Sequence, residues 1–455
     1  MSLDVGRHDT ICALSTAHGY GAIAVVRASG IKAHEIFSRM FCKYRGDVKF
    51  SRAMHGQVID QHNAPVDDVM ALLFTKANSY TGEESFEIHC HGNNLIVQKI
   101  LETISAHGAR LAEPGEFTMR AMLNGKIDLA QAESIADLIH AKSKAAQQIA
   151  LQGVRGGLGE KTLPVREIIV SVLAEIEARM DFPDEDLENY DRAHLRDQLA
   201  FAQNLLDELL AHAGLSIRLH EGVRIVICGL PNAGKSTLLN RLLGEERAIV
   251  HELAGTTRDV IEANTVLQDL PVTLVDVAGI RDNDDACAVE KIGIAKAIAE
   301  LEKAHLIIWL ADATEPDPFH DQEINRHLNQ LDTPILRVLN KVELLNHNTL
   351  YESVLAISAK TGFGIARLEA AIHQKFTDDS LLLSELSLTR ARQKDELENA
   401  RSGVREAREA LVLGLVDEVI TAELRQAGLA FDRLFGTTLS EDILDEIFSK
   451  FCIGK

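Results

Sequence analysis

The chain has 455 residues, 46% hydrophobic and 25% charged, which indicates a folded protein of about three domains and excludes extended disorder. Its 47 basic and 68 acidic residues leave a net charge of −21, which argues against a general coat for nucleic acid or a membrane surface. No apolar run approaches the roughly 18 residues that span a bilayer, and the first ten residues hold no apolar core. Six scattered cysteines (Cys12, Cys42, Cys90, Cys228, Cys287, Cys452) make no Cys-x-x-Cys pair. A cytoplasmic protein without a zinc site or disulfide framework is expected.

Three textures follow one another. To about Leu123 the chain mixes short β-rich runs with Gly-containing turns. Ala22 to Val26, the approach to Met54, Val69 to Phe74 and Phe86 to His89 read as strands, and Asn94 to His107 as a helix. This predicts an α+β domain. From Asp128 to about Leu219 the β signal nearly vanishes. Leu195, Leu199, Ala202, Leu206 and Leu209 recur at alternating four-and-three spacing, an amphipathic helical stripe. Pro183 marks a loop between helices. The helical texture returns from about Ser384 to Phe448, which predicts one bundle made of two pieces with a domain inserted between them. Between about 222 and 379, Val223 to Cys228, Val272 to Asp276, Leu306 to Asp312, Ile335 to Asn340 and Val354 to Ile357 alternate with helical stretches. That is the pattern of a parallel sheet covered by helices.

The inserted segment carries the chemistry. Gly229-Leu230-Pro231-Asn232-Ala233-Gly234-Lys235-Ser236, with Thr237 next, fits the phosphate-loop pattern after a strand and at the start of a helix. The glycines let backbone N–H groups turn toward phosphate oxygens. Lys235 neutralises the β and γ phosphates, and the Ser236 hydroxyl suits Mg²⁺. Asp276-Val277-Ala278-Gly279 ends a strand, where Asp276 would hold Mg²⁺ through water and the Gly279 N–H would meet the γ-phosphate. Asn340-Lys341-Val342-Glu343 matches the guanine-recognising Asn-Lys-x-Asp, with a carboxylate one methylene longer. Ser358-Ala359-Lys360 follows a strand, as a base-backing element should. Asp-x-x-Gly or Ser-Ala-Lys alone reads as a turn; the four elements in this order read as a guanine nucleotide site. Gly255-Thr256-Thr257-Arg258-Asp259 occupies the place of the first switch, with Thr257 a second hydroxyl for Mg²⁺. Ile280 stands where Ras-like enzymes put a water-orienting Gln, so another group must substitute or hydrolysis is slow.

The motifs named so far, together with Pro114-Gly115-Glu116-Phe117, Leu129-Ala130-Gln131-Ala132-Glu133, Val289-Glu290-Lys291-Ile292-Gly293-Ile294 and the terminal Phe451-Cys452-Ile453-Gly454-Lys455, resemble the MnmE (TrmE) family of tRNA-modification GTPases. The resemblance spans essentially the whole chain. It implies a multidomain α/β and α protein with an N-terminal α+β folate-binding and dimerisation domain over 1–123. A discontinuous helical bundle would follow over 124–219 and 381–455, interrupted by a P-loop α/β G domain over 220–380. It also implies a homodimer that joins the flavoprotein MnmG in a heterotetramer. That assembly would install a carboxymethylaminomethyl-type group at C5 of the tRNA wobble uridine. The carbon donor would be a tetrahydrofolate derivative, 5,10-methylene or 5-formyl. GTP hydrolysis would need Mg²⁺ and K⁺.

Carried onto this sequence, the resemblance implies K⁺ ligands at Asn232, His251, Leu253 and Thr256, within a nucleotide-wrapping loop His251-Glu252-Leu253-Ala254-Gly255-Thr256. It implies a catalytic Glu290 that helps position water, beside Lys235. Folate contacts would fall to Arg27, Glu87, Lys126 and Lys455, with Cys452 a thiol whose chemical role is open. Singly, each of these charges reads as an ordinary surface group. Three departures stand out: Glu343 for Asp, Val277 for the more frequent Thr, and an Asp/Asn-rich stretch from Asp282 to Asp285. The rival is a GTP-dependent ribosome-assembly or interaction switch, which would bind no folate.

Overall fold

The computed structural model describes residues 9–43, 49–181, 192–247, 261–276, 298–319, 321–345, 354–376, 388–439, 441–449, 451 and 453–454. The chain divides into two compact units. The first comprises Met1–Ala136, Gly153–Asn204 and Asp395–Lys455, and the second Asp137–Gln152 and Leu205–Lys394.

The first unit opens with a seven-stranded sheet. Its strands are β1 (Ile11–Leu14), β2 (Gly21–Ser29), β3 (Phe41–Lys43), β4 (Met54–Ile59), β5 (Pro65–Phe74), β6 (Ser85–Gly92) and β7 (Arg110–Leu111), in the order β3-β4-β5-β6-β2-β1-β7. Every pairing is antiparallel except β1 with β7. The expected strands are present and longer than the sequence suggested. Arg27, expected at a strand end, lies inside β2. Period-two alternation explains the faces. Phe86, Ile88 and Cys90 of β6 are buried while Glu87 and His89 turn to the other side. The buried face packs on α1 (Ala33–Met40) and α2 (Asn94–Ala106) through Phe37, Met40, Ile100 and Ile104. Asn93 caps α2 by accepting the Leu95 N–H at 2.9 Å.

Helix α3 (Glu116–Leu123) leads into α4 (Leu129–His140), α5 (Lys144–Val154), α6 (Gly157–Asp181), α7 (Arg192–Ala211) and α8 (Ala213–Glu221). The stripe on α7 is buried at Leu195, Leu199, Ala202 and Leu206, with Leu209 half-buried. Pro183 lies outside the described residues. The last helices, numbered after those of the second unit, are α12 (Ala391–Leu413), α13 (Asp417–Phe435) and α14 (Glu441–Phe448). The chain then returns to the first sheet. Phe448 and Phe451 meet with ring centroids 4.9 Å apart, and Ser15 donates to the Gly454 carbonyl at 3.0 Å. A Cβ on Gly454 would stand 2.2 Å from the Leu14 carbonyl oxygen, so this close approach requires glycine.

The second unit is a six-stranded sheet of β8 (Val223–Cys228), β9 (Ile261–Leu267), β10 (Leu270–Asp276), β11 (Leu306–Asp312), β12 (Ile335–Asn340) and β13 (Leu355–Ala356), ordered β13-β12-β11-β8-β10-β9. With it come α9 (Lys235–Arg247), α10 (Gln322–Leu328) and α11 (Ile365–Phe376), and α8 and most of α5 belong to the same unit. Five strands are parallel, as expected from their continuous apolar runs. The sixth corrects the reading of a purely parallel sheet: β9 pairs antiparallel with β10 at the edge. The turn between them places Gln268 and Asp269 at φ 46° and 68°. Such left-handed pairs suit a two-residue hairpin, but without glycine the turn gave no sequence signal. Asp269 then accepts the Lys144 and Ala145 N–H groups at 2.8 and 3.1 Å, closing the start of α5.

Candidate functional site

The carboxyl ends of β8, β10, β11 and β12 converge on one edge of the second sheet, where parallel α/β sheets bind ligands. The phosphate loop leaves β8 and enters α9. Two glycines make it possible. A Cβ on Gly229 (φ 148°) would stand 2.1 Å from the Leu310 carbonyl oxygen, and one on Gly234 (φ 93°) 2.3 Å from Asn340 Nδ2. Asn232 is left-handed at φ 65°, and its side chain is exposed at the loop's crest. Lys235 lies back along its own loop, donating to the Gly229 and Leu230 carbonyls at 3.0 and 3.1 Å. Burial lowers its pKa, which Asp276 partly opposes. Ser236 Oγ donates to Asp276 Oδ2 at 2.7 Å, so the two oxygens expected to share Mg²⁺ are already adjacent. Thr237 is exposed on the next position of α9.

The residues expected to recognise the base are hydrogen-bonded to the same loop. Asn340 ends β12 and is buried. Its Nδ2 donates to the Ala233 carbonyl at 2.8 Å, and its Oδ1 accepts the Ala359 N–H at 2.9 Å. One side chain therefore ties the phosphate loop to Ser358-Ala359-Lys360. Lys341, at φ 67°, pairs with Asp312 at 2.7 Å. Asp312 is buried enough to favour its neutral form, yet Lys341 and the Thr314 N–H and hydroxyl hold its pKa below the usual carboxylate range. Glu343 is exposed in a short 3₁₀ turn over Val342–Leu344. Ser358 and Ala359 are buried and Lys360 is exposed.

The sequence reading missed Asp312 and Arg241. Asp312 faces Asn340 in the parallel register, and its place at the end of a strand was the available signal. Arg241 donates through Nε to the Ala359 carbonyl at 3.0 Å and through Nη2 to the Lys360 carbonyl. No motif marks it. His251, Glu252, Leu253, Ala254, Gly255, Thr256, Thr257, Val277, Ala278, Gly279 and Glu290 lie outside the described residues, as do Cys452 and Lys455.

A second site belongs to the first unit. A cavity of about 300 Å³ is lined by Arg27, Phe74, Tyr80, Thr81, Ser85 and Glu87, among others. Arg27 and Glu87 are 60 residues apart in sequence and directly opposed across β2 and β6. They form an ion pair of 2.7 Å, so two of the expected folate contacts neutralise each other. The Arg27 guanidinium also lies over the Tyr80 ring, 5.5 Å from its centroid. Burial raises the Tyr80 pKa, against the pull of its bond to Thr118. Lys126 donates to the Ala77 carbonyl at 2.8 Å, bracing the segment that forms one cavity wall. Behind that wall Arg120, only 6% exposed, pairs with Asp9, Glu83 and Glu116, while Ser29 donates to Glu83 at 2.8 Å. Sequence spacing gave no sign of Arg120 or Tyr80 in this role.

No helix among the described residues is long and apolar enough to cross a membrane. Residues 10–126 match the family model described as GTP-binding protein TrmE N-terminus, and residues 129–452 match the MnmE helical domain. A protein of Thermotoga petrophila named tRNA modification GTPase MnmE is 38% identical over 456 residues, covering 98% of this chain and 100% of its own. Its namesake from Symbiobacterium thermophilum is 40% identical, covering 98% of this chain and 99% of its own. That from Thermotoga maritima is 38% identical, with 98% and 100% covered. A phosphate-loop motif between a strand and a helix, on a chain matched over 98% of its length, leads to one assignment: the chain belongs to the MnmE family of tRNA modification GTPases.

Proposed function

We propose that the protein hydrolyses GTP and uses that cycle to drive modification of the tRNA wobble uridine. The partner would be an MnmG-type flavoprotein and the carbon donor a tetrahydrofolate. The reading rests on one observation above all: Asn340 joins the phosphate loop to the base loop while Ser236 and Asp276 meet at the phosphate end. A hydroxyl and a carboxylate are oxygen donors of the kind Mg²⁺ takes, so these residues fit the ion. Bound there, Mg²⁺ would neutralise charge on the β and γ phosphates.

The chain's own residues do the rest. Backbone N–H groups of the loop and the start of α9 hold phosphate oxygens. Lys235 exchanges two carbonyls for phosphate oxygens, and an anion beside it keeps it protonated against burial. Asn232, exposed at the crest, suits a monovalent cation such as K⁺ beside the phosphates, with His251, Leu253 and Thr256 completing the set. Glu290 orients the attacking water. In the first unit, the cavity beside Arg27 and Glu87 takes the folate. Its carboxylates compete for Arg27 with Glu87, or its pterin donors bond Glu87, with Lys126 and Lys455 as further contacts and Cys452 a thiol of open role. Dimerisation brings two nucleotide sites together, and the nucleotide state moves the helical segments.

The test is GTP turnover by the full-length protein in K⁺ and in Na⁺ at equal ionic strength, with Glu290→Ala alongside. Fast turnover in K⁺ alone, lost in the variant, supports the reading. Slow turnover indifferent to the cation refutes the K⁺ and Glu290 roles. Binding of 5-formyltetrahydrofolate that fails in Arg27→Ala separates the enzyme from a ribosome-assembly switch.

A further inference from the structure

We propose that Arg241 is the positioning residue of the guanine-recognising loop: from α9 its guanidinium holds the peptides of Ala359 and Lys360 and so sets the preference for guanine. The inference rests on the guanine-nucleotide reading above and deepens it.

Helix α9 begins at the phosphates with Lys235 and Ser236, and Arg241 stands in its second turn. Its fork reaches two successive carbonyls, those of Ala359 and Lys360. The rest of the loop is closed on itself. The Ser358 N–H bonds the Phe363 carbonyl, the Gly362 N–H the Ser358 carbonyl, and the Thr361 N–H the Ser358 hydroxyl. Asn340 takes the Ala359 N–H. Among the described residues, the Lys360 and Gly364 N–H groups of this loop have no partner within the protein, and the Lys360 N–H belongs to the peptide that Arg241 holds.

That N–H shares a peptide with the Ala359 carbonyl, and in a trans peptide the two point in opposite directions. Holding the carbonyl on Arg241 therefore turns the Lys360 N–H away from α9. A fixed, unpaired donor there bonds the O6 acceptor of guanine and is opposed by the 6-amino donor of adenine. The other recognition edge makes this rigidity matter. Glu343 is exposed and carries one more rotatable bond than Asp, so it orients a base less firmly. Arginine is suited to the task because its planar fork serves both carbonyls at once, whereas lysine is a flexible point charge.

The test uses the full-length protein, methylanthraniloyl-GDP as the fluorescent probe, and competition by GDP, IDP and ADP. Arg241→Met is expected to weaken GDP and IDP by the same factor, about tenfold, and to leave ADP unchanged. IDP keeps O6 and lacks the 2-amino group, so equal losses locate the effect at O6 and away from Glu343. KM for GTP rises with the GDP constant while kcat stays within about twofold, because the base edge binds ground and transition states alike. Arg241→Lys falls between. Unchanged GDP binding in Arg241→Met overturns the proposal, as does an equal loss for ADP or a proportional fall in kcat. If the Met variant does not fold, the Lys variant decides: it must lose GDP affinity and keep that for ADP. A wild-type protein that fails to bind the probe overturns the guanine reading and this proposal together. Normal wild-type binding with an indifferent variant overturns this proposal alone.

Discussion

The two sites are held in opposite ways. In the second unit, neutral and charge-assisted bonds to backbone carbonyls and N–H groups shape the nucleotide loop, and the groups that would meet phosphate remain near one another without cancelling. In the first unit, opposite charges face each other across strands, and the cavity's Arg27 is already spent on Glu87. On the proposed reading an anion would complete the nucleotide frame, whereas a ligand of the cavity would have to divide the Arg27–Glu87 pair. A ligand that replaces one partner recovers the charge interaction; a ligand without charge does not.

Changes that strike the frame directly should cost most. Lys235→Ala is expected to lower GTP turnover about 1,000-fold, measured as phosphate release, because phosphate charge loses its cation. Survival of turnover would show that the loop backbone alone suffices. Asp137 then asks how much a buried charge pair contributes in the second unit, where Lys341 and Asp312 already form one pair. It is 2% exposed within the second unit and accepts from Arg390 at 2.6 Å, with His220 3.2 Å away. Burial opposes its ionisation, but His220 and Arg390 win and its pKa is lowered. A carboxyl with a lowered folded pKa stabilises fully above its unfolded value. That stability is lost as the pH falls through the folded value, so the window lies below about pH 4. Asp137→Asn should therefore cost about 3 kcal/mol at neutral pH and flatten the acid side of the denaturation profile.

Asn340→Ala removes both ends of one staple. A loss of about 2 kcal/mol in chemical denaturation is expected, with weaker GDP binding in the same titration series. Arg27→Ala should abolish binding of 5-formyltetrahydrofolate in calorimetry and destabilise the first unit by about 1 kcal/mol, since half-buried Glu87 loses its guanidinium and keeps His89 at 3.7 Å. Arg27→Lys keeps the charge and should recover part of each. Unchanged folate affinity in Arg27→Ala would erase the contrast between the sites. The smallest effect concerns thiols. Burial pushes Cys12 and Cys90 up to about 11 and Cys228 up to about 12. All three should resist iodoacetamide in the folded protein while exposed Cys42 reacts, as peptide mapping will show.

Legibility followed the same divide. The nucleotide site was readable because its residues sit in short contiguous stretches whose spacing is dictated by phosphate and base geometry. Gly229 to Ser236, Asp276, Asn340 and Ser358 all fall on one edge of one sheet. Arg241 was invisible because its partners are carbonyls, which every residue carries. The Arg27–Glu87 pair needed the register of β2 against β6, and composition and periodicity do not set register between distant strands. The antiparallel β9 was missed because its hairpin turns on Gln268 and Asp269 in place of glycine.

From the sequence alone came the order of textures, the segment that carries the GTPase motifs and the candidate residues for phosphate and base. These are local: strand propensity, helix periodicity and loop motifs act over a few residues. Tertiary structure decided which charges cancel, which carbonyls an arginine holds, and that Gly454 closes against Leu14 near the start of the first sheet. Those outcomes depend on packing between segments tens to hundreds of residues apart, where one atom's position follows from the fold as a whole.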